Sequence, residues 1–401
     1  MIPLPLQHSV SLQRKPLRNR RQQLSERQLF FHLRAILHAC RGRLTLCLLT
    51  GAVILAERML RGNKPLMRQI SGGFVQPVHR FLSVLTGHVR FSTAELLILT
   101  AALLLSAASI RLLVLLIRGP SRLDALIRYL SGVAAFVLSV YAGFCLLWGV
   151  YYYGDDFATK AGMEAREISI EELEVVTVYF AAQANQYAGL VPRDADGVCV
   201  LDRNAVLEKS KTLYHAVETN YPWLSGPEIR AKGWRFSKLL SLTDFTGFFF
   251  PFTAEANVNT DSPSAFFPAT VAHELAHQRG VAKEQEANFC AVLASLEDGD
   301  PAYCYSACLL AYTHLSNALY SVNPGAWQLV SKGLDERVKA DYRANRSYWA
   351  RFETPVQKVS NTVYEDFLYS YDQELGLRSY GACVDLLVLH YEETAKAFFQ
   401  S

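Results

Sequence analysis

The chain has 401 residues, 51% of them hydrophobic, and a mean hydropathy of +0.10, high for a wholly soluble protein. Its formal charge of +3 hides a split: residues 1–153 carry 19 Lys and Arg against 4 Asp and Glu, and the remaining 248 residues carry 21 against 33. No basic patch with interleaved aromatics occurs, which argues against nucleic acid as a partner; of eight cysteines an odd five lie in the acidic half and none forms C-x-x-C, which argues against a disulfide framework or a thiolate metal site.

Residues 1–43 hold nine basic residues and one acidic one. No small-residue cleavage site follows the next apolar run, so a basic cytoplasmic tail is expected rather than a signal peptide. The membrane region is read as 44–153, with three transmembrane helices over about 41–60, 95–117 and 129–152. The first apolar run, LTLCLLTGAVILA (44–56), has only 13 uncharged residues, where a span takes about 20. It crosses only if Arg43, Glu57 and Arg58 sit near the interfaces. The second run, 96–117, contains Arg111, which is read as snorkelling to the bilayer surface. The third, 129–153, is uncharged and ends in WGVYYY, an interfacial aromatic belt.

The loop RGPSRLDALIR carries Arg118, Arg122 and Arg128 against Asp124. The positive-inside rule puts it in the cytoplasm and residues 154–401 outside. One segment opposes this topology: residues 58–90 hold six basic residues and no acidic one. Part of it, FVQPVHRFLSVLTG, suits an amphipathic element lying in the interface.

The acidic half reads as mainly α. ISIEELEVVTVYFAAQANQYAG has helical periodicity with acidic residues at its start. A second helix is expected over about 206–224, and one from near Pro268 to Gly280, since proline opens and glycine closes helices. Further helices follow to the C-terminus. The exception is GFFFPFTAEANVNTD (247–261), where Phe252, Ala254, Ala256 and Val258 alternate with Thr253, Glu255, Asn257 and Asn259. Period two predicts a half-buried extended element beside a cleft. There Glu255, Asn257 and Asn259 could line the cleft and hold a substrate backbone.

The stretch VAHELAHQRGVAKEQEANFC (271–290) carries the chemistry. His273 and His277 are four apart, so both imidazoles leave the helix on one face. Glu274, a third of a turn round, is placed to move a proton rather than to bind the ion. Zinc needs a third protein ligand and an open position for water. Gly280 lets the chain reverse, after which Glu284 and Glu286 are the available carboxylates. Two residues apart, they cannot share a face. Glu284 is favoured because Asn288 lies four residues on, where its amide oxygen could orient a ligand histidine; Glu286 stays open as the alternative. The nitrogen and oxygen donor set suits Zn2+. Oxyanion stabilisation could come from His314, Arg343, Tyr342 or Tyr380, of which Tyr380, in LRSYGAC, has the best local context.

PFTAEANVN (251–259), HELAHQRG (273–280) and EQEAN (284–288) resemble the motifs of the bacterial membrane proteins grouped as domain of unknown function 3810. LTGHVRFSTAELL and SYGACVDLL resemble that family too, so the likeness covers nearly all the chain beyond the basic tail. It implies a mainly α, membrane-anchored, zincin-like protein with a small β element, and names no substrate. More widely, H-E-x-x-H and E-x-x-x-N resemble the glutamate-type zincins, with His273, His277 and Glu284 as ligands and Glu274 as base. Asn288 replaces the aspartate many of those carry, and the link from His277 to Glu284 is short for them. The metzincin pattern fails, because its third ligand would fall on Lys283.

The expectation is a multi-pass membrane protein, bound to the lipid bilayer, acting outside the cell membrane as a zinc metallopeptidase on a peptide or protein. Two alternatives are a zinc amidase of cell-wall peptide, and a non-catalytic membrane sensor, chaperone or assembly factor retaining the metal site.

Overall fold

Apolar length decides the first elements. The computed structural model describes residues 17–164, 166–371 and 381–400. The short run 44–56 is embedded in one continuous helix, Leu17–Leu60, whose apolar part His38–Leu60 has 23 residues. At 1.5 Å per residue that is about 35 Å, enough to cross the hydrocarbon with its charged ends at the interfaces. Thr93–Arg118 and Arg122–Leu147, 26 residues each, are the other two membrane-spanning helices. Their leucines point outward, Leu103 being 71% and Leu104 67% exposed, as lipid-facing residues are. The third helix stops at Leu147, and the aromatic tail forms a separate turn, Gly149–Tyr153.

By packing, the chain divides into two units: Met1–Val53 with Leu103–Tyr141, and Ile54–Ala102 with Ala142–Ser401. In the first, Ser109 and Tyr129 bond through their hydroxyls at 2.7 Å, and Arg43 Nη1 donates to the Arg128 carbonyl. The second unit includes the segment between the first two spans.

Within that segment, three of the six basic residues in 58–90 bond to residues beyond the third span. Arg68 pairs with Asp155 at 2.7 Å, Arg61 donates to Tyr153 Oη, and Arg80 donates to the Ser225 carbonyl. Its helix Gln76–Gly87 is amphipathic, as FVQPVHRFLSVLTG predicts. His79 and Ser83 are buried, while Phe81, Val84 and Leu85 are exposed. Ser83 Oγ donates to the Ala254 carbonyl at 2.8 Å.

Three strands form one sheet in the order β1-β3-β2: β1 Lys232–Trp234, β2 Gly247–Phe250 and β3 Glu255–Asn259. β3 runs parallel to β1 and antiparallel to β2. The alternation in 247–261 predicts a half-buried strand. Instead all five residues of β3 are buried. It is the central strand, and helix Phe267–Gln278 packs on the sheet. The turn between β2 and β3 takes Ala254 to φ 51°, an uncommon conformation for a residue with a β-carbon.

The rest is helical. Ile170–Ala188 opens on a capping box in which Ser169 and Glu172 satisfy each other's backbone N–H groups. It packs against Pro301–Val322, with Phe267–Gln278, Glu284–Asp298 and Gly381–Gln400 completing the core. The single helix expected over 206–224 is broken into Arg203–Lys209, His215–Glu218 and a short turn at Pro222–Leu224. Tyr214, in the gap, is fully buried and donates to the Ala272 carbonyl at 2.8 Å, so tertiary contact overrides helical propensity there. Cys304 and Cys308 are buried and free, as are the other cysteines of the globular half.

Candidate metal centre

Helix Phe267–Gln278 has Pro268 in its first turn and ends as the chain turns at Gly280, whose φ of +85° suits glycine. After that reversal Glu284 is the first residue of helix Glu284–Asp298. Two adjoining helices thus bring His273, His277 and Glu284 together. One donor atom from each lies within 4.8 Å of the others, a cluster able to hold a metal ion.

The inner nitrogens converge. His273 Nε2 is 3.1 Å from Glu284 Oε2, and His277 Nε2 is 3.7 Å from Oε1. Three donors on a tetrahedral zinc would stand about 3.4 Å apart, from metal–ligand lengths near 2.1 Å, so these separations bracket the requirement. The outer nitrogens are tied. His277 Nδ1 is 2.6 Å from the Val281 carbonyl, which can only accept, so Nδ1 carries the proton. His273 Nδ1 is 2.8 Å from Asn288 Oδ1. Both rings therefore turn Nε2 toward Glu284. Tyr364 Oη, from helix Pro355–Ser370, donates to Glu284 Oε1 at 2.6 Å. The donor set and its supports fit a divalent ion.

The electrostatics are those of a buried, coupled cluster. Burial lifts the Glu284 carboxyl, but His277 and His273 outweigh it and hold the group well below the ordinary carboxylate range. Burial lowers His277, yet the charge and hydrogen bond of Glu284, with Glu274 and the Val281 carbonyl, raise it to about 9. Glu274 is lifted to about 7 chiefly by burial, against the pull of the two histidines. Its Oε2 is buried without a hydrogen-bond partner among the described residues. Gly247, at the start of β2, lies directly against it.

The cluster lines a cavity of about 960 Å3. Aromatic rings form much of the wall, including Phe144, Trp148, Phe249 and Phe367, and His314, Asn317 and Asn345 add polar groups. Trp148 meets the His277 ring edge-on at 5.5 Å. Burial, then the charge of His273, lowers His314 to about 4, so its ring is neutral at pH 7.

The other expected residues fall elsewhere. Glu286 turns to Lys283, 3.4 Å away, and burial raises its pKa. It stands apart from the two histidines because two residues along a helix is about 200° of rotation. Glu255, Asn257 and Asn259 are not among the residues lining this cavity and are held inside the protein. Glu255 is ion-paired with Lys232 and accepts from the backbone N–H groups of Thr93 (3.1 Å) and Ala94 (2.7 Å), capping the second span. Asn257 Oδ1 accepts from Ser92 Oγ at 2.6 Å. Asn259 donates to Ser241 Oγ and the Phe245 carbonyl. The physical reason is that both faces of β3 are covered, so its polar side chains must be satisfied inside the protein. Tyr380 lies outside the described residues. Tyr342 donates to the Leu309 carbonyl at 2.8 Å, and Arg343 stands 3.8 Å from the exposed Glu336.

Sequence reasoning did not single out Tyr364, Trp148 or Gly247. Tyr364 is one of 20 tyrosines and carries no local signal. Trp148 reads as part of the interfacial belt, which hides its place beside His277.

No curated protein and no solved structure matches the chain. Residues 71–388 match the family described as "protein of unknown function (DUF3810)". That match takes in the second and third spans, the sheet and both helices of the metal cluster, and the chain is a member of the DUF3810 family.

Proposed function

We infer that the protein is a membrane-anchored, zinc-dependent hydrolase of peptide bonds, with its cavity on the extracytoplasmic side. The observation that carries this reading is the convergence of His273 Nε2, His277 Nε2 and the Glu284 carboxylate beside the unsatisfied Glu274 carboxylate. A structural metal site needs no such neighbour.

His273, His277 and Glu284 would hold the ion, and Asn288, Val281 and Tyr364 would fix their orientation. When bound, zinc supplies Lewis acidity to water and to a peptide carbonyl. Glu274, with a pKa of about 7, is poised both to accept a proton and to return it to a leaving amine near neutral pH. Neutral His314 offers an N–H to negative charge developing on the carbonyl oxygen. The aromatic wall of the cavity would seat apolar side chains and exclude water.

The outward placement rests on Arg118, Arg122 and Arg128 between the last two spans. The packing of residues 61–92 with the globular part fits three spans, which put both on one side of the membrane whichever way the chain is oriented.

The test is Glu274→Gln. Zinc content should be unchanged while hydrolysis of a peptide library is abolished; unchanged turnover would sink the assignment. A reporter fused after Ser401 should be active outside the membrane, and a cytoplasmic signal would reverse the topology.

A further inference from the structure

Three separate contacts bring the metal cluster to the level where the spans end. The first is the third span itself. Phe144, on its last turn, lines the metal cavity and packs on Phe367 at 5.5 Å. Trp148, one residue past the end of that helix, touches the His277 ring. A ligand histidine is thus one side-chain layer from the point where the chain leaves the bilayer.

The second contact is the hairpin turn between β2 and β3. Gly143 lets the Phe252 ring lie on the span, since a β-carbon there would stand 2.7 Å from the ring's Cε1. The third is the amphipathic helix Gln76–Gly87. Its buried face meets the metal-bearing helix, Gln278 Nε2 reaching Ser83 Oγ at 3.4 Å and the Ala254 carbonyl at 2.9 Å. Its other face leaves Phe81 67% exposed, with Val84 and Leu85 beside it. Rings and branched side chains at positions three and four apart, on a helix joined to two spans, are what an element resting on the bilayer surface presents.

A cavity walled in part by aromatic side chains from the span's own end is placed to receive chain emerging from lipid. We propose that the substrates are polypeptides anchored in the same bilayer by an apolar segment and cut close to the membrane surface. This rests on the hydrolase reading above. An extended chain advances about 3.3–3.6 Å per residue, so a scissile bond within about ten residues of the apolar segment lies no more than about 36 Å from it. In the cut, water adds across the peptide bond, giving a carboxylate on one product and an amine on the other. The anchored remnant stays in the bilayer, and the distal part is released.

The experiment uses the full-length, zinc-loaded protein in phosphatidylethanolamine–phosphatidylglycerol vesicles. One randomised peptide library is presented in three ways: free in solution, fused directly outside a single apolar helix in the same vesicles, and fused outside that helix through a rigid proline-rich spacer. A spacer of about 20 residues holds the library about 60 Å from the surface, at 3.1 Å per residue. Both tethered forms share the gain from confinement to the vesicle, so comparing them isolates distance. The directly fused library should be cut at least about tenfold faster than the spaced one, the size of loss that misplacing a reacting group produces. Glu274→Gln should cut neither. Equal rates for the two tethered forms would overturn the proposal and leave the hydrolase reading standing. No cleavage of any library would overturn both.

A second readout is independent of activity. A nitroxide on Phe81→Cys should be shielded from a water-soluble nickel complex and accessible to oxygen, as at the headgroup level. Free access of the nickel complex would remove the membrane placement on which the proposal stands.

Discussion

Gly247 and Glu274 are packed so closely that a β-carbon on the glycine would stand 2.6 Å from Glu274 Oε1 and 2.9 Å from the Asn257 carbonyl. The carboxylate end could swing away. The carbonyl, on the central strand, could not. The first strand of the hairpin therefore fixes where the proposed base sits, and it does so through the lack of a side chain.

Gly247→Ala should displace Glu274 while leaving His273, His277 and Glu284 in place. Overpacking of this kind costs about 1–3 kcal/mol. A misplaced catalytic group costs up to about a hundredfold in rate. The expected result is full zinc content, a modest fall in melting temperature and a drop of about ten- to a hundredfold in kcat. Loss of zinc in this variant would show that the glycine supports the ligands instead.

The metal-free protein should lose stability as pH rises above about 6.5. Two groups set the sign there; below it His79 and His314, each lowered to about 4 chiefly by burial, are neutral in the folded chain and charged in the unfolded one, which opposes them. Glu274 is raised to about 7, so between about 4.5 and 7 the unfolded chain has released a proton that the folded chain keeps. His277 is raised to about 9, so its contribution is fully present below 6.5 and is lost as pH climbs through 9. Stability falls wherever the folded state binds more protons. Thermal unfolding of the chelator-treated protein in detergent, from about pH 6.5 to 9, should show this decline. Glu284, held low, adds the opposite slope only below the ordinary carboxylate range. Zinc displaces the His277 proton, so saturating zinc should flatten the upper part of the profile.

Asn288 and Tyr364 should tune affinity without being ligands. Losing such an orienting partner typically weakens metal binding by about 10–100-fold. Asn288→Ala and Tyr364→Phe should each do so in a competition titration against a chromophoric chelator. Asn288→Asp should bind more tightly than the native protein, because a carboxylate on His273 Nδ1 makes the ring more basic. An unchanged affinity in all three variants would contradict the hydrogen bonds seen at 2.8 and 2.6 Å.

The pairing of HELAH with EQEAN was legible because its geometry is local: four residues on a helix, a glycine turn and a helix start. The spans were legible from apolar length, and even the marginal one resolved once its helix was seen to run through the flanking charges. The role of Glu255 was not legible. Its partners Thr93 and Ala94 lie 162 and 161 residues away, and a hydrogen bond across that distance leaves no periodic mark on the sequence. Alternation in 251–259 correctly suggests a strand, yet it cannot reveal that a second layer covers the polar face. Asparagines that look ready for a substrate are in fact occupied by the protein's own hydroxyl and carbonyl groups. Tyr364 reaches Glu284 from 80 residues downstream and was unreadable for the same reason.

Glu255→Ala should be among the most damaging changes outside the metal cluster. It leaves Lys232, 1% exposed, as an unpaired buried cation. Removing one partner of such a pair costs about 3–5 kcal/mol. Lys232→Met combined with Glu255→Gln should recover much of that loss. Yield and melting temperature in detergent measure both, and an additive double variant would exclude coupling between the two side chains.

The carboxylate of Glu255 closing the first turn of Thr93–Arg118 makes anchor and metal-bearing domain one indivisible object. A chain trimmed to begin after the third span would strip away the backbone N–H groups that Glu255 satisfies and the Ser92 hydroxyl that Asn257 receives. It would also bare the floor on which Ala254 and Gln278 rest. The membrane helix here is a structural subunit of the sheet rather than a tether. The metal-bearing half cannot be moved to another anchor, and variation in the second span is answerable to the strand as much as to the lipid.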